Sequence, residues 1–127
     1  MDDSAVIALS LAPIVALVGV VTWSVTKSNA DDGSVPNDVA GLRTKATKSS
    51  PEAWVRGHRA AVPAVTTTMR FGVASAIAVL VLSLGSLAFP QVAVPALVVA
   101  VLAFTAVVGG CLHACLLADR AARGQVT

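Results

Sequence analysis

The chain has 127 residues, 56% of them hydrophobic and 13% charged, with a formal net charge of +2 and a mean hydropathy of +0.81. A soluble domain carries roughly a quarter charged residues, so this composition excludes one and requires apolar side chains to meet lipid. The small positive excess, with no basic stretch interleaved with stacking aromatics, also excludes a nucleic-acid binder.

Charge is segregated along the chain: residues 4–26 and 71–118 contain no Asp, Glu, Lys or Arg. A helix that crosses a hydrocarbon core of about 30 Å takes about 20 apolar residues. The first segment that qualifies runs from about Ala5 to Thr26, with Pro13 as a kink point and Trp23 at the level of an interfacial aromatic. Ser28-Asn29-Ala30 has the small-x-small form of a signal-peptidase site. The acidic Met-Asp-Asp-Ser start and the length of the apolar run argue for a retained span instead.

Residues 27–64 form the expected first loop. Lys27 to Asp38 is polar and rich in turn formers, which predicts irregular backbone. Ser49-Ser50-Pro51-Glu52 then combines a hydroxyl cap, a first-turn proline and an acid near the positive helix end. It predicts a helix over about 50–62 that stops or kinks at Pro63. On that helix Trp54, His58 and Ala61 share a face, while Arg56 and Arg59 project elsewhere. Two readings follow: a short helix at the membrane surface with its arginines near anionic lipid, or a recognition patch of Arg43, Thr44, Thr47, Trp54 and His58. Gly41 to Thr47 lacks the Gly-Lys-Ser/Thr ending of a phosphate-binding loop and follows no strand. With no paired carboxylates, no Ser-His-Asp set and only two separate histidines, the sequence predicts neither catalysis nor a cofactor.

The second and third spans are expected at about 65–89 and 94–118, joined by a tight hairpin at Phe89-Pro90-Gln91, with Pro95 in the first turn of the last helix. Helices in lipid associate through small residues and shared hydrogen bonds. The faces predicted for this are Gly72, Ser75, Ala76, Val79, Ser83 and Ser86 on the second span, and Ala106, Gly109, Gly110, His113, Leu117 and Arg120 on the third. His113, an ionisable group at membrane depth, is expected as a neutral imidazole hydrogen-bonded across the bundle to a serine of the second span. Cys111-x-His113-x-Cys115 is no zinc motif, because His113 points about 200° away from Cys111 on a helix. The cysteines are expected as buried thiols, and no metal site is predicted.

Seven of the nine Lys and Arg residues lie between Lys27 and Arg70, and Arg120 and Arg123 follow the third span. Positive loops stay in the cytoplasm, which predicts an N-terminus outside, with the first loop and the C-terminus inside. The expected fold is therefore all-α: one plasma-membrane domain over 1–127, a bundle of three transmembrane helices plus a short cytoplasmic interfacial helix.

The loop string Asn37-x-x-x-Gly41-Leu42-Arg43-Thr44-x-x-Thr47-x-x-Ser50-x-x-x-Trp54-x-x-x-His58 resembles the motif of the SdpI family of bacterial membrane proteins, and the Ala- and Val-heavy spans are similar to those of an actinobacterial member. The resemblance implies a non-enzymatic membrane protein acting in immunity to, or tolerance of, a membrane-active peptide toxin, or in envelope signalling, with Asn37, Gly41, Arg43, Thr44, Thr47, Ser50, Trp54 and His58 as its binding residues. The alternatives are an accessory subunit packed against a larger membrane protein complex, and a small lipid-handling carrier that uses His113. Besides the lipid bilayer, the partner expected is thus a peptide toxin or another membrane protein. The sequence leaves the oligomeric state open.

Overall fold

The computed structural model describes residues 1–31 and 40–124, and its long elements are three helices: α1 (Asp3–Asp31), α2 (Pro51–Gly85) and α3 (Ala93–Ala122). All three are long and apolar enough to cross a membrane. Leu17, Val81, Leu87, Leu102 and Leu112 are each more than 60% exposed. Side chains of this kind on the outer faces of long apolar helices are matched to hydrocarbon, not to water, and the chain is a multi-pass membrane protein. Single 3-10 turns, Thr47–Ser49 and Pro90–Val92, precede α2 and α3.

Two elements differ from the sequence reading. The polar stretch after Thr26 continues α1 to Asp31 instead of starting a loop, because Lys27 and Asp31 pair at 2.9 Å one turn apart and Asn29 is buried. The helix expected over 50–62 is no separate element: it is the first third of α2, which passes through Pro63 without a break. A proline removes one backbone donor, and helices of membrane proteins tolerate that loss because neighbouring helices and hydroxyl side chains take up the freed groups. The carbonyl that Pro63 leaves without its helical donor is that of Arg59, and in the next turn the hydroxyls of Thr66 and Thr67 add bonds to the carbonyls of Val62 and Pro63. Its start is as expected, with the Ser50 hydroxyl accepting from the Ala53 N–H at 3.0 Å. Pro95 is the third residue of α3.

The chain divides into two compact units, Met1–Val20 with Thr68–Val108, and Val21–Thr67 with Gly109–Thr127. The first unit is built on small residues. Ala8, Ala12, Val79, Ala96 and Ala100 form its buried cluster, and two glycines bring backbones together. A Cβ on Gly19 would lie 3.2 Å from the Met69 Cα, and one on Gly72 would lie 3.2 Å from both the Val15 carbonyl oxygen and a Val107 methyl. The face predicted for the second span is the one that packs, with Gly72, Val79, Ser83 and Ser86 buried.

The face predicted for the third span does not pack. Ala106, Gly109, His113 and Arg120 are exposed, and Gly110 and Leu117 are half-buried. The buried side of α3 is a row of Ala96, Ala100, Ala103, Val107, Ala114 and Ala118. Alanine allows nearly the approach that glycine does while costing less helix stability, so the alanine row outcompetes the glycine pair. His113 accordingly lies on the outer surface of its helix, exposed and not buried in a hydrogen-bonded contact.

In the second unit Leu42, Ala61, Val65, Ala114 and Ala118 form one buried cluster, flanked by Trp23, Ala64 and Cys115. Ala46, Ala53 and Ala122 form another. Cys111 and Cys115 are free thiols, half-buried and not fully enclosed.

Candidate functional site

The loop motif folds around the backbone of a single residue, Leu42. His58 projects from the second turn of α2, and its Nε2 accepts the Leu42 N–H at 2.9 Å. The other ring nitrogen lies 2.7 Å from the Trp54 carbonyl oxygen, which can only accept, so Nδ1 carries the proton. These two bonds specify the neutral Nδ1–H tautomer. The carbonyl of Leu42 accepts from the Thr47 hydroxyl at 2.8 Å. Both backbone polar groups of this buried residue are thus held by side chains, as backbone outside regular structure requires.

Most of the described motif residues have a definable part in that latch. Gly41 adopts φ +135°, and a Cβ there would lie 2.7 Å from two Trp54 ring atoms and 2.8 Å from His58 Nε2. Backbone conformation and space both demand glycine. Thr44 and Thr47 cap each other. The Thr44 N–H donates to Thr47 Oγ1 at 2.9 Å and the Thr47 N–H donates to Thr44 Oγ1 at 3.1 Å, a reciprocal pattern like that of a capping box across the entry to the 3-10 turn. Trp54, wholly buried, lies against the His58 ring with centroids 4.3 Å apart. Its indole N–H donates to Asn29 Oδ1 at 3.2 Å, and Asn29 Nδ2 donates to the Val25 carbonyl at 2.9 Å. Ser50 is the cap of α2. Arg43 is exposed, as are Lys45 and Lys48. Asn37 lies outside the described residues.

The structure therefore brings Gly41, Thr44, Thr47, Trp54 and His58 together, with the four side chains bonded to one another, to Asn29 or to the backbone. His113 is not among them. Burial holds the His58 pKa below its ordinary value, opposed by the bond to the Trp54 carbonyl. His58 stands ahead of the charge-free stretch of α2, which begins only after Arg70.

Arg56 and Arg59 hold helix ends. Arg56 donates from Nε to the Ala121 carbonyl at 2.7 Å and from its terminal nitrogen to the Ala122 carbonyl at 2.8 Å, satisfying the last turn of α3. Arg59 Nε donates to the Ala30 carbonyl of α1 at 3.1 Å. Cationic donors at helix C-termini satisfy orphan carbonyls and oppose the dipole.

Sequence reasoning missed Asn29 as the partner of Trp54, because it assigned Asn29 to a loop. It also missed Gly57. A Cβ at Gly57 would come within 2.9 Å of the Ala118 carbonyl oxygen and a Thr47 methyl. A glycine in a helix interior costs about 1 kcal/mol, and its place between Trp54 and His58 was the available sign of a close approach.

Searches of curated proteins and of solved structures return no match. The model of the SdpI/YfhL protein family matches residues 35–112, more than half of the chain, and that stretch contains the Leu42 latch, all of α2 and most of α3. This chain belongs to the SdpI/YfhL protein family.

Proposed function

We propose that this protein is a non-catalytic member of its family, seated in the plasma membrane with its N-terminus outside and its latch and C-terminus in the cytoplasm, and that it confers tolerance of a membrane-active peptide or relays envelope stress. The observation that carries this reading is the family motif, whose Thr44, Thr47, Trp54 and His58 fold as a latch and bond one another, Asn29 and the chain's own backbone. Such an arrangement fixes the shape of a loop and offers no free acid, base or nucleophile. What a partner meets is the surface displayed by the latch, with Arg43, Lys45 and Lys48 around the 3-10 turn. Exposed cations on a loop of held backbone suit an acidic segment of a partner protein or of a peptide.

The reading separates display from scaffold, and so does its test. In cells lacking the gene, exposed to a panel of membrane-active peptides, the wild-type chain restores survival. A Lys45→Glu/Lys48→Glu variant is expected to remain in the membrane at normal amounts and to fail. His58→Ala is expected to lower the folded amount and survival together. Full survival with the charge-reversed variant would remove the display role, and loss of function in His58→Ala at unchanged amounts would make His58 a recognition residue.

The outer face of α3 favours a second reading, an accessory subunit of a larger membrane complex. His113 is exposed there beside Gly109, at which a Cβ would meet nothing within 4 Å. A polar ring beside a flat helix surface is poorly matched to lipid and well matched to another helix. Purification in mild detergent tests it: a chain that elutes without a second protein argues against the accessory role.

A further inference from the structure

Cys111 and Cys115 stand apart from the latch, one turn from each other on α3, and both line a cavity of about 320 Å³. Thr22 and Thr26 of α1 line the same cavity, as do Gly41 and Leu42. The Cys111 thiol points at the Thr22 hydroxyl, with Sγ 3.7 Å from Oγ1. Both thiols are free, and the spacing explains why they stay so. Side chains four apart on a helix have Cβ atoms about 5–6 Å apart, whereas a disulfide needs about 3.8 Å. The pair cannot close on itself without breaking α3.

The same spacing suits a bridging ion. A metal–thiolate bond is about 2.3 Å long, so a linear sulfur–metal–sulfur unit spans about 4.6 Å, which staggered rotamers on such Cβ atoms can reach. We propose that Cys111 and Cys115 form a two-thiolate site for a soft divalent cation that accepts two-coordination, of which mercury(II) is the representative. Binding replaces two S–H bonds by two metal–sulfur bonds and releases two protons to solvent, with no change of oxidation state. The product is neutral, which a cavity walled by valine, leucine and alanine favours; a monovalent ion would leave a net negative charge there. Zinc is excluded, since it takes four ligands and the lining offers two sulfurs and hydroxyls but no His, Asp or Glu. His113, on the exposed face of α3, takes no part.

The test uses the full chain in detergent micelles, titrated with mercury(II) against excess of a small monothiol. One ion per chain is expected, seen by intact mass as the gain of one metal and the loss of two protons. Cys111→Ser and Cys115→Ser are each expected to lose affinity by about 100-fold or more, the size of effect that goes with losing an intramolecular second contact. Alanine variants replace any serine variant that does not stay monodisperse. Single-cysteine variants that hold the ion as tightly as the wild type, or a wild type that takes up two ions, would overturn the proposal. So would an intramolecular Cys111–Cys115 disulfide formed by a mild oxidant, because the sulfurs would then be closer than one helical turn allows.

Discussion

In the unit formed by residues 1–20 and 68–108, helix meets helix through alanine, valine and glycine. In the described part of the other unit, a loop peptide is held by an imidazole and a hydroxyl. The difference follows from what each must solve. Regular helices already satisfy their own backbone groups, so their association in lipid needs only close fit. The Leu42 peptide lies outside any helix, and burying it without partners would cost several kcal/mol. The first kind of contact should therefore respond to side-chain size alone, and the second to size, hydrogen bonding and protonation together.

The largest effect is expected at Gly41→Ala, where strain at positive φ and collision with Trp54 and His58 add to about 3 kcal/mol or more. Thermal unfolding followed by a thiol-reactive dye on Cys111 and Cys115 measures it, and an unchanged midpoint would show that the latch is looser than its geometry. Next comes His58→Ala, expected to cost about 2–3 kcal/mol by leaving the buried Leu42 N–H unpaired and a void beside Trp54. The same residue gives the unit its pH dependence. The folded state holds His58 neutral, with its pKa lowered mainly by burial, while the unfolded chain binds the proton near the ordinary value of about 6.5. Stability from the latch is thus complete above about pH 6.5 and is lost as pH falls toward the lowered folded value. Wild type should lose midpoint temperature over that window, and His58→Ala should lose much less.

How far the sequence reveals this comparison depends on range. Three spans are legible because length and absence of charge are local properties, and the start of α2 is legible because Ser50, Pro51 and Glu52 act within one turn. The Gly72–Val79–Ser83 face follows from helical periodicity. Which face of α3 packs does not: Ala100, Ala103 and Val107 make as good a stripe as Ala106, Gly109 and Gly110, and only the partner helices decide. Among the motif residues, their joint importance is visible in the spacing, but their inward direction is not. His58 bonds Leu42 across 16 positions and Trp54 bonds Asn29 across 25, separations that no local pattern encodes. Arg56 and Arg59 look like lipid-facing cations for the same reason, since the carbonyls they hold belong to the ends of other helices.

Gly72→Val moves the test to the other unit. The added methyls would press on the Val15 carbonyl and on Val107, and overpacking of this kind costs typically about 1–3 kcal/mol. Its loss of midpoint temperature should be the same at pH 5 as at pH 7.5, since size is the whole of the effect. A pH-dependent loss would mean that the packed helices report on His58 after all, and the contrast drawn between the units would fail.

The smallest effect, and the sharpest contrast with His58, is expected at Ser83. Its side chain is fully buried in the first unit, and its hydroxyl oxygen is without a hydrogen-bond partner among the described residues. At His58 the polar atom completes a bond, so its removal strands the Leu42 N–H. At Ser83 it completes none, so Ser83→Ala strands nothing and removes a desolvated group. Replacing an unpaired buried polar atom by an apolar one is neutral or stabilising, and the expected change is between zero and a gain of about 1 kcal/mol, read as an equal or higher midpoint in the same dye assay. A clear loss would show that the Ser83 hydroxyl has a partner after all, and that the first unit is held by hydrogen bonding as well as by fit.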